Sequence, residues 1–190
     1  MSEILVFAGC NGSGKSTLAN RLLSSIQPNP EFVNADIIAA RLNPDDVDAV
    51  AITASRIMLA RLKELAAQNV DFAFETTLAA RSFARFLRDC KRQGYKINLV
   101  YIWLESPDLA VLRVAKRVAA GGHNIPEDVI RRRYHRGLDN FFQLYSSLAD
   151  RWIVYDNSNQ RQKIAEKPFA QPIVIYQPLV WQQIISSDNS

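Results

Sequence analysis

The sequence predicts an α/β domain in three layers, with helices on both faces of a mostly parallel, five-stranded sheet and a helical lid at one end. Three observations carry that prediction. Short apolar runs alternate with longer stretches whose apolar residues recur at three- and four-residue steps, the patterns of strand and helix in turn. The first run, Ile4 to Ala8, passes directly into Gly9-Cys10-Asn11-Gly12-Ser13-Gly14-Lys15-Ser16-Thr17 and then into a helical pattern from Leu18 to Leu23. Carboxylates and hydroxyls stand at the ends of later strands, the edge at which open α/β sheets bind ligands.

Strand, glycine-rich loop and helix form the context in which G-x-x-x-x-G-K-[ST] binds phosphate, because backbone N–H groups then converge on an anion at a helix N-terminus. The expected fold is therefore that of a P-loop NTPase. Gly9, Gly12 and Gly14 allow the backbone the turns and close approach that such a cradle needs, and Asn11, Ser13 and Thr17 belong to the same loop. Lys15 is expected to reach the β- and γ-phosphates of ATP or GTP, and the Ser16 hydroxyl to ligate Mg²⁺.

The totals narrow the class. A chain of 190 residues is long enough for one domain with a substantial core. No apolar run approaches the roughly 20 residues a membrane span needs, so the protein is expected in the cytoplasm, away from membranes. Cys10 and Cys90 have no metal-ligand spacing and suit a reducing compartment. The formal charge is +4, yet residues 111–136 alone hold seven basic side chains against two acidic ones, a net of +5. Charge gathered in one helical pair suits a polyphosphate ligand better than a nucleic acid, which is not expected as a partner.

After the first helix, Pro28 and Pro30 close the helical pattern. Glu31 to Asp36 reads as a second strand with Asp36 at its end. There the carboxylate either serves an acceptor hydroxyl or Mg²⁺, or caps the helix that follows. Residues 44–68 read as one long amphipathic helix with Pro44 in its first turn. Asp71 to Glu75 is apolar on both faces, as an interior parallel strand is. Glu75-Thr76-Thr77 at its end either faces the crevice or forms a turn before the helix carrying Phe83, Phe86 and Leu87.

Gly94 closes that helix and Lys96 to Leu104 is the fourth strand. Ser106-Pro107 supplies a cap and a first-turn proline for a helix with Val111, Val114, Ala115 and Val118 on one side and Arg113, Lys116 and Arg117 on the other. Gly121-Gly122-His123-Asn124 interrupts the pattern, and Pro126 opens another helix with Arg132 and Arg136 opposite its apolar face. Two helices joined by a Gly-Gly hinge and flanked by arginines suit a lid, at about residues 113–136, that closes on transferring phosphates. Solvated helix faces are the alternative for any one of those arginines. Trp152 to Asp156 is the last sheet strand, and Asn157 and Ser158 beyond it are candidates for contact with the nucleotide base. Ile173 to Tyr176 reads as an added edge strand, Leu179 to Ile185 as a short helix, and residues 186–190 as a frayed end.

With these stretches in view the chain resembles the zeta-toxin family of P-loop kinases. The resemblance rests on AGCNGSGKST, on VNAD ending in Asp36, on FETT at residues 74–77, on RVAAGGHNIPEDVIRRRYHRGLDNF from Arg117 to Phe141, and on DNS at residues 156–158. It implies transfer of a γ-phosphate to the 3′-hydroxyl of UDP-N-acetylglucosamine, and a family antitoxin as a partner to test for. It also implies catalytic roles for Lys15, Asp36 and Arg117, with Asp36 as base. The nucleotide side then comprises the loop residues with Arg113 and Asn157. The acceptor side comprises Asp36, Glu75, Thr77, Arg81, His123 and Arg132. One departure stands out: the family's second phosphate-binding arginine has no clean counterpart, and Arg131, Arg132 and Arg133 all compete for its place.

Overall fold

A computed structural model describes residues 2–186. The glycine-rich loop follows β1 (Glu3–Gly9) and opens α1 (Lys15–Leu23). β1 lies inside a seven-stranded sheet of order β2-β3-β1-β4-β5-β6-β7, where β2 is Glu31–Val33, β3 Phe72–Thr76, β4 Lys96–Trp103, β5 Arg151–Asp156, β6 Gln162–Lys167 and β7 Val174–Ile175. The five strands from β2 to β5 are parallel. The register brings their carboxyl ends level, with Ala8 opposite Thr76, Gly9 opposite Ile102 and Trp103 opposite Asp156.

Phe7, Ala73 and Ile102 pack against Leu18, Ala19 and Leu23 of α1 on one face of the sheet. The larger core covers the other face, where Phe72, Phe74, Leu99 and Trp152 meet α3 (Ala51–Ala67), α4 (Ser82–Arg92) and the end of α6 (Glu127–Asn140). That distribution gives the three layers predicted. α5 (Pro107–Ala119) begins as anticipated, with the Ser106 hydroxyl accepting the Leu109 N–H at 3.1 Å and Pro107 in the first turn. α6 runs on through a π turn, Phe141–Tyr145, into the single turn α7 (Ser146–Leu148).

The prediction needs four corrections. The sheet has seven strands, not five. β6 pairs antiparallel with β5, and Gln162, Lys163, Glu166 and Lys167 leave it only Ile164 and Ala165 to bury, too little apolar signal to mark a strand. The edge strand anticipated at 173–176 is the two-residue β7, paired with β6. β2 stops at Val33, and Asp36 lies in the first turn of α2 (Ala35–Leu42), whose N-cap is Asn34, not Asp36. The long helix expected from Pro44 starts only at Ala51. Asn43 Oδ1 accepts the Asp45 and Asp46 N–H groups and Asp46 Oδ1 accepts the Ala49 N–H, which holds residues 44–50 in turns. The end expected to fray lies, past Ser186, outside the described residues. α8 (Pro178–Ser186) docks through Trp181 and Ile184, Trp181 stacking on Trp152 at 5.8 Å.

Candidate functional site

The phosphate loop has the backbone its sequence requires. Gly9, Gly12 and Gly14 take φ of 140°, 77° and 90°. A Cβ at Gly9 would stand 2.2 Å from the Ile102 carbonyl oxygen. Lys15 is buried, and its Nζ donates to the Cys10 carbonyl at 2.9 Å. The Ser13 hydroxyl is buried in the same loop without a hydrogen-bond partner among the described residues. An anion seated in the loop would supply one, so this cradle fits a phosphate.

Glu75, at the end of β3, reaches across to this loop. Its Oε1 lies 3.6 Å from Lys15 Nζ, and its Oε2 accepts from Ser16 Oγ at 2.7 Å and from Asn34 Nδ2 at 3.1 Å. A hydroxyl and a carboxylate oxygen, side by side at a phosphate loop, form the hard-oxygen set that Mg²⁺ shares with nucleotide phosphates and water. The residues present fit that ion. Glu75 thus touches Ser16 and Lys15 of the phosphate loop and also lines the cavity that holds Asp36 and Thr77.

A cavity of 290 Å³ opens beside these groups at the carboxyl edge of the sheet. Lys15, Asn11 and Glu75 line one part of it, and Asp36, exposed on the first turn of α2, lines another. Met58, Phe83 and Ala39 give it an apolar wall, and Arg132, Arg133 and Arg136 of α6 a cationic one. Thr77 and His123 complete the set anticipated for an acceptor. Arg81 does not belong to it: this residue is exposed at the start of α4, outside the cavity lining.

The structure separates the three competing arginines. Arg131 is tied outward to Asp108 and Glu127 at 2.6 and 2.7 Å. Arg132 is exposed at the cavity rim, 3.6 Å from Asp128. Arg133 is half-buried, and its Nη1 donates to Asn11 Oδ1 of the phosphate loop at 3.4 Å. Burial lowers the pKa of the Arg133 guanidinium, with the charge of Asp36 the largest influence opposing it. Arg117 points elsewhere. Its Nη2 donates to the His123 carbonyl at 3.2 Å, its Nε is buried without a hydrogen-bond partner among the described residues, and it is not part of the cavity wall.

On the other side of the loop, Arg113 donates to the Ser158 carbonyl at 2.8 Å, and Asn157 Nδ2 donates to the Ser13 carbonyl at 2.8 Å. Asn157 therefore braces the phosphate loop, where sequence anticipated contact with a base. The Thr76 hydroxyl accepts the Leu78 N–H at 3.1 Å, the local turn weighed as an alternative for this motif. α6 clamps that turn: a Cβ at Gly137 would lie 2.3 Å from the Thr77 carbonyl oxygen, and Asn140 Nδ2 donates to the Leu78 carbonyl at 2.8 Å. The helix read as half of a lid is in this part wedged into the core.

The sequence gives no role to Asn34, names Arg136 only as one of the lid-face arginines, and leaves Arg133 among three candidates. A signal existed for the arginines, since Arg133, Arg136, Gly137 and Asn140 share one helical face, and a glycine there marks close approach of another backbone.

A phosphate loop, parallel strands in the order 2-3-1-4-5 and a cavity with charged and apolar walls at their carboxyl edge define the P-loop kinase fold. The sequence matches the Zeta toxin family over residues 3–167, and the chain belongs to that family. An uncharacterised protein of Haemophilus influenzae is 30% identical over 133 residues, covering 70% of this chain and 93% of its own length. Among solved structures, one from the PezAT chromosomal toxin–antitoxin system of Streptococcus pneumoniae aligns with a TM-score of 0.64 at 15% identity, over 99% of this chain and 86% of that one. A chain of the AvrRxo1-ORF1:ORF2 complex with ATP aligns with a TM-score of 0.78 at 13% identity, over 98% of this chain and 64% of that one.

Proposed function

We propose that this protein is a kinase that transfers the γ-phosphate of ATP or GTP to a hydroxyl of a small acceptor, with the 3′-hydroxyl of UDP-N-acetylglucosamine as first choice. One observation carries the reading: the phosphate-loop lysine and an exposed aspartate on a separate helix line the same cavity. A binding protein has no need of the second group. The nucleotide lies with its phosphates in the 9–17 loop, held by backbone N–H groups, the α1 N-terminus and Lys15. Ser16 and Glu75 would hold Mg²⁺, which would supply positive charge to the nucleotide phosphates.

The acceptor occupies the cavity between Met58 and Phe83 on one side and the α6 arginines on the other. Arg132 and Arg136 face its anionic portion, as a nucleotide diphosphate requires. Asp36 accepts the hydroxyl proton while the acceptor oxygen bonds to the γ-phosphorus and the bond to the departing nucleoside diphosphate breaks. Arg133, fixed against Asn11, faces the transferring group and stabilises its charge; Arg117 joins it if the 121–124 loop releases its side chain. The proposal includes toxicity and an antitoxin partner, which the match to the Zeta toxin family supports, and action in the cytoplasm.

Mass spectrometry of a reaction with Mg²⁺, ATP and UDP-N-acetylglucosamine tests it. A gain of one phosphate on the sugar nucleotide, lost in Lys15→Ala, is the expected result. An unmodified sugar nucleotide, with ATP bound at the loop, would reject this acceptor.

A further inference from the structure

Between the two carboxylates of the site stands a residue that belongs to neither substrate. Asn34 is 6% exposed and occupies the junction of β2 and α2. Its Oδ1 accepts the Asp36 N–H at 2.7 Å and its Nδ2 donates to Glu75 Oε2 at 3.1 Å. The orientation of the amide is set by its partners, because a backbone N–H only donates and an ionised carboxylate only accepts. We propose that Asn34 is a positioning residue that couples the halves of the site, one end of its amide fixing the turn that carries Asp36 and the other fixing the Glu75 oxygen shared with Ser16.

The choice of residue follows from that double duty. Ser, Thr, Asp and Asn all serve as N-caps. An aspartate cap has no donor for Glu75 and would set a second negative charge beside it. A serine or threonine has one oxygen on a shorter arm, which satisfies the α2 N–H but does not also span to β3. Asparagine carries an acceptor and a donor on separate atoms of a rigid plane, and the β2–β3 register ends with Val33 opposite Phe74, the residues just before Asn34 and Glu75, whose side chains meet at 3.1 Å. Loss of the Nδ2 donor leaves Glu75 to swing toward Lys15, away from the Ser16 oxygen with which it forms an ion site.

The inference rests on the assignment of Ser16 and Glu75 to Mg²⁺, and the test separates the two. ATP binding is titrated with and without Mg²⁺ for the wild type, Asn34→Ser, Glu75→Gln and the double variant, alongside thermal unfolding. Asn34→Ser is expected to keep the α2 cap and unfold near the wild-type temperature, yet to lose about tenfold of the Mg²⁺-dependent tightening, the worth of one hydrogen bond to a charged group. In the Glu75→Gln background the same change is expected to have no further effect. Wild-type Mg²⁺ dependence in Asn34→Ser, or an undiminished effect in the Glu75→Gln background, overturns the coupling. Wild-type Mg²⁺ dependence in Glu75→Gln alone instead removes the ion assignment on which the coupling stands. Should Asn34→Ser fail to fold, Asn34→Thr replaces it with the same expectation.

Discussion

At the scale of single residues, burial decides what each charged group of the site can do. Arg133 is the α6 arginine that loses solvent without gaining, among the described residues, a carboxylate partner within ion-pair distance, and its side chain goes to the phosphate loop. Arg133→Ala is therefore expected to lower kcat by about 10²–10³-fold, as loss of one oriented donor does elsewhere, with a much smaller effect on the dissociation constant of ATP; steady-state kinetics and a binding titration distinguish the two. Cys10 shows the opposite use of burial. Its thiol is pushed up to about 11 by desolvation, against the charges of Lys15 and Arg113. It stays protonated at neutral pH, while the same thiol in the unfolded chain ionises near 8.5–9. Above that range the folded state binds more protons than the unfolded one, so stability falls as pH rises, by about 2–3 kcal/mol in all by pH 11. Urea midpoints at pH 8 and pH 10 for the wild type and Cys10→Ala check this: the wild type is expected to fall more steeply.

At the scale of elements, α6 is both wall and wedge. Gly137 brings its backbone against Thr77, and Asn140 and Tyr145 bond to the Leu78 and Ala80 carbonyls, the latter at 2.6 Å. Gly137→Ala gains helix propensity of about 1 kcal/mol. The added methyl, however, has to displace backbone, so a net loss of about 1–3 kcal/mol is expected from denaturant unfolding, together with weaker acceptor binding. The last helix is held by large apolar side chains instead. Trp181→Ala should cost about 3–5 kcal/mol, and the fluorescence of Trp152, freed from its stacked neighbour, should report the loss.

At the scale of the whole molecule, the sequence was most legible where one rule acted alone. The glycines, Lys15 and Ser16 stand at the junction of a strand and a helix, and no competing arrangement fits them. The parallel strands β1, β3, β4 and β5 are apolar enough to be read directly. Legibility failed where two rules competed. Asp36 was placed at a strand end because VNAD continues an apolar run, yet Asn34 caps first and turns the chain into α2 two residues earlier. The helical spacing of Val47, Val50 and Ala51 ran on past the side-chain turns of Asn43 and Asp46, which hold the backbone out of the helix. β6 gains its place from pairing with β5 and shows little pattern of its own. The roles of Glu75 and Asn34 depend on contacts across 41 residues of chain, which no local pattern displays.

The central claim is that Lys15 and Asp36 act on the two sides of one cavity, the first on the nucleotide and the second on the acceptor. Measuring ATP affinity and phosphoryl transfer to UDP-N-acetylglucosamine in Lys15→Ala and Asp36→Asn tests it most directly. The account predicts that both variants lose transfer, by about 10²-fold or more, while only Lys15→Ala binds ATP much more weakly. Transfer at the wild-type rate by Asp36→Asn would contradict it.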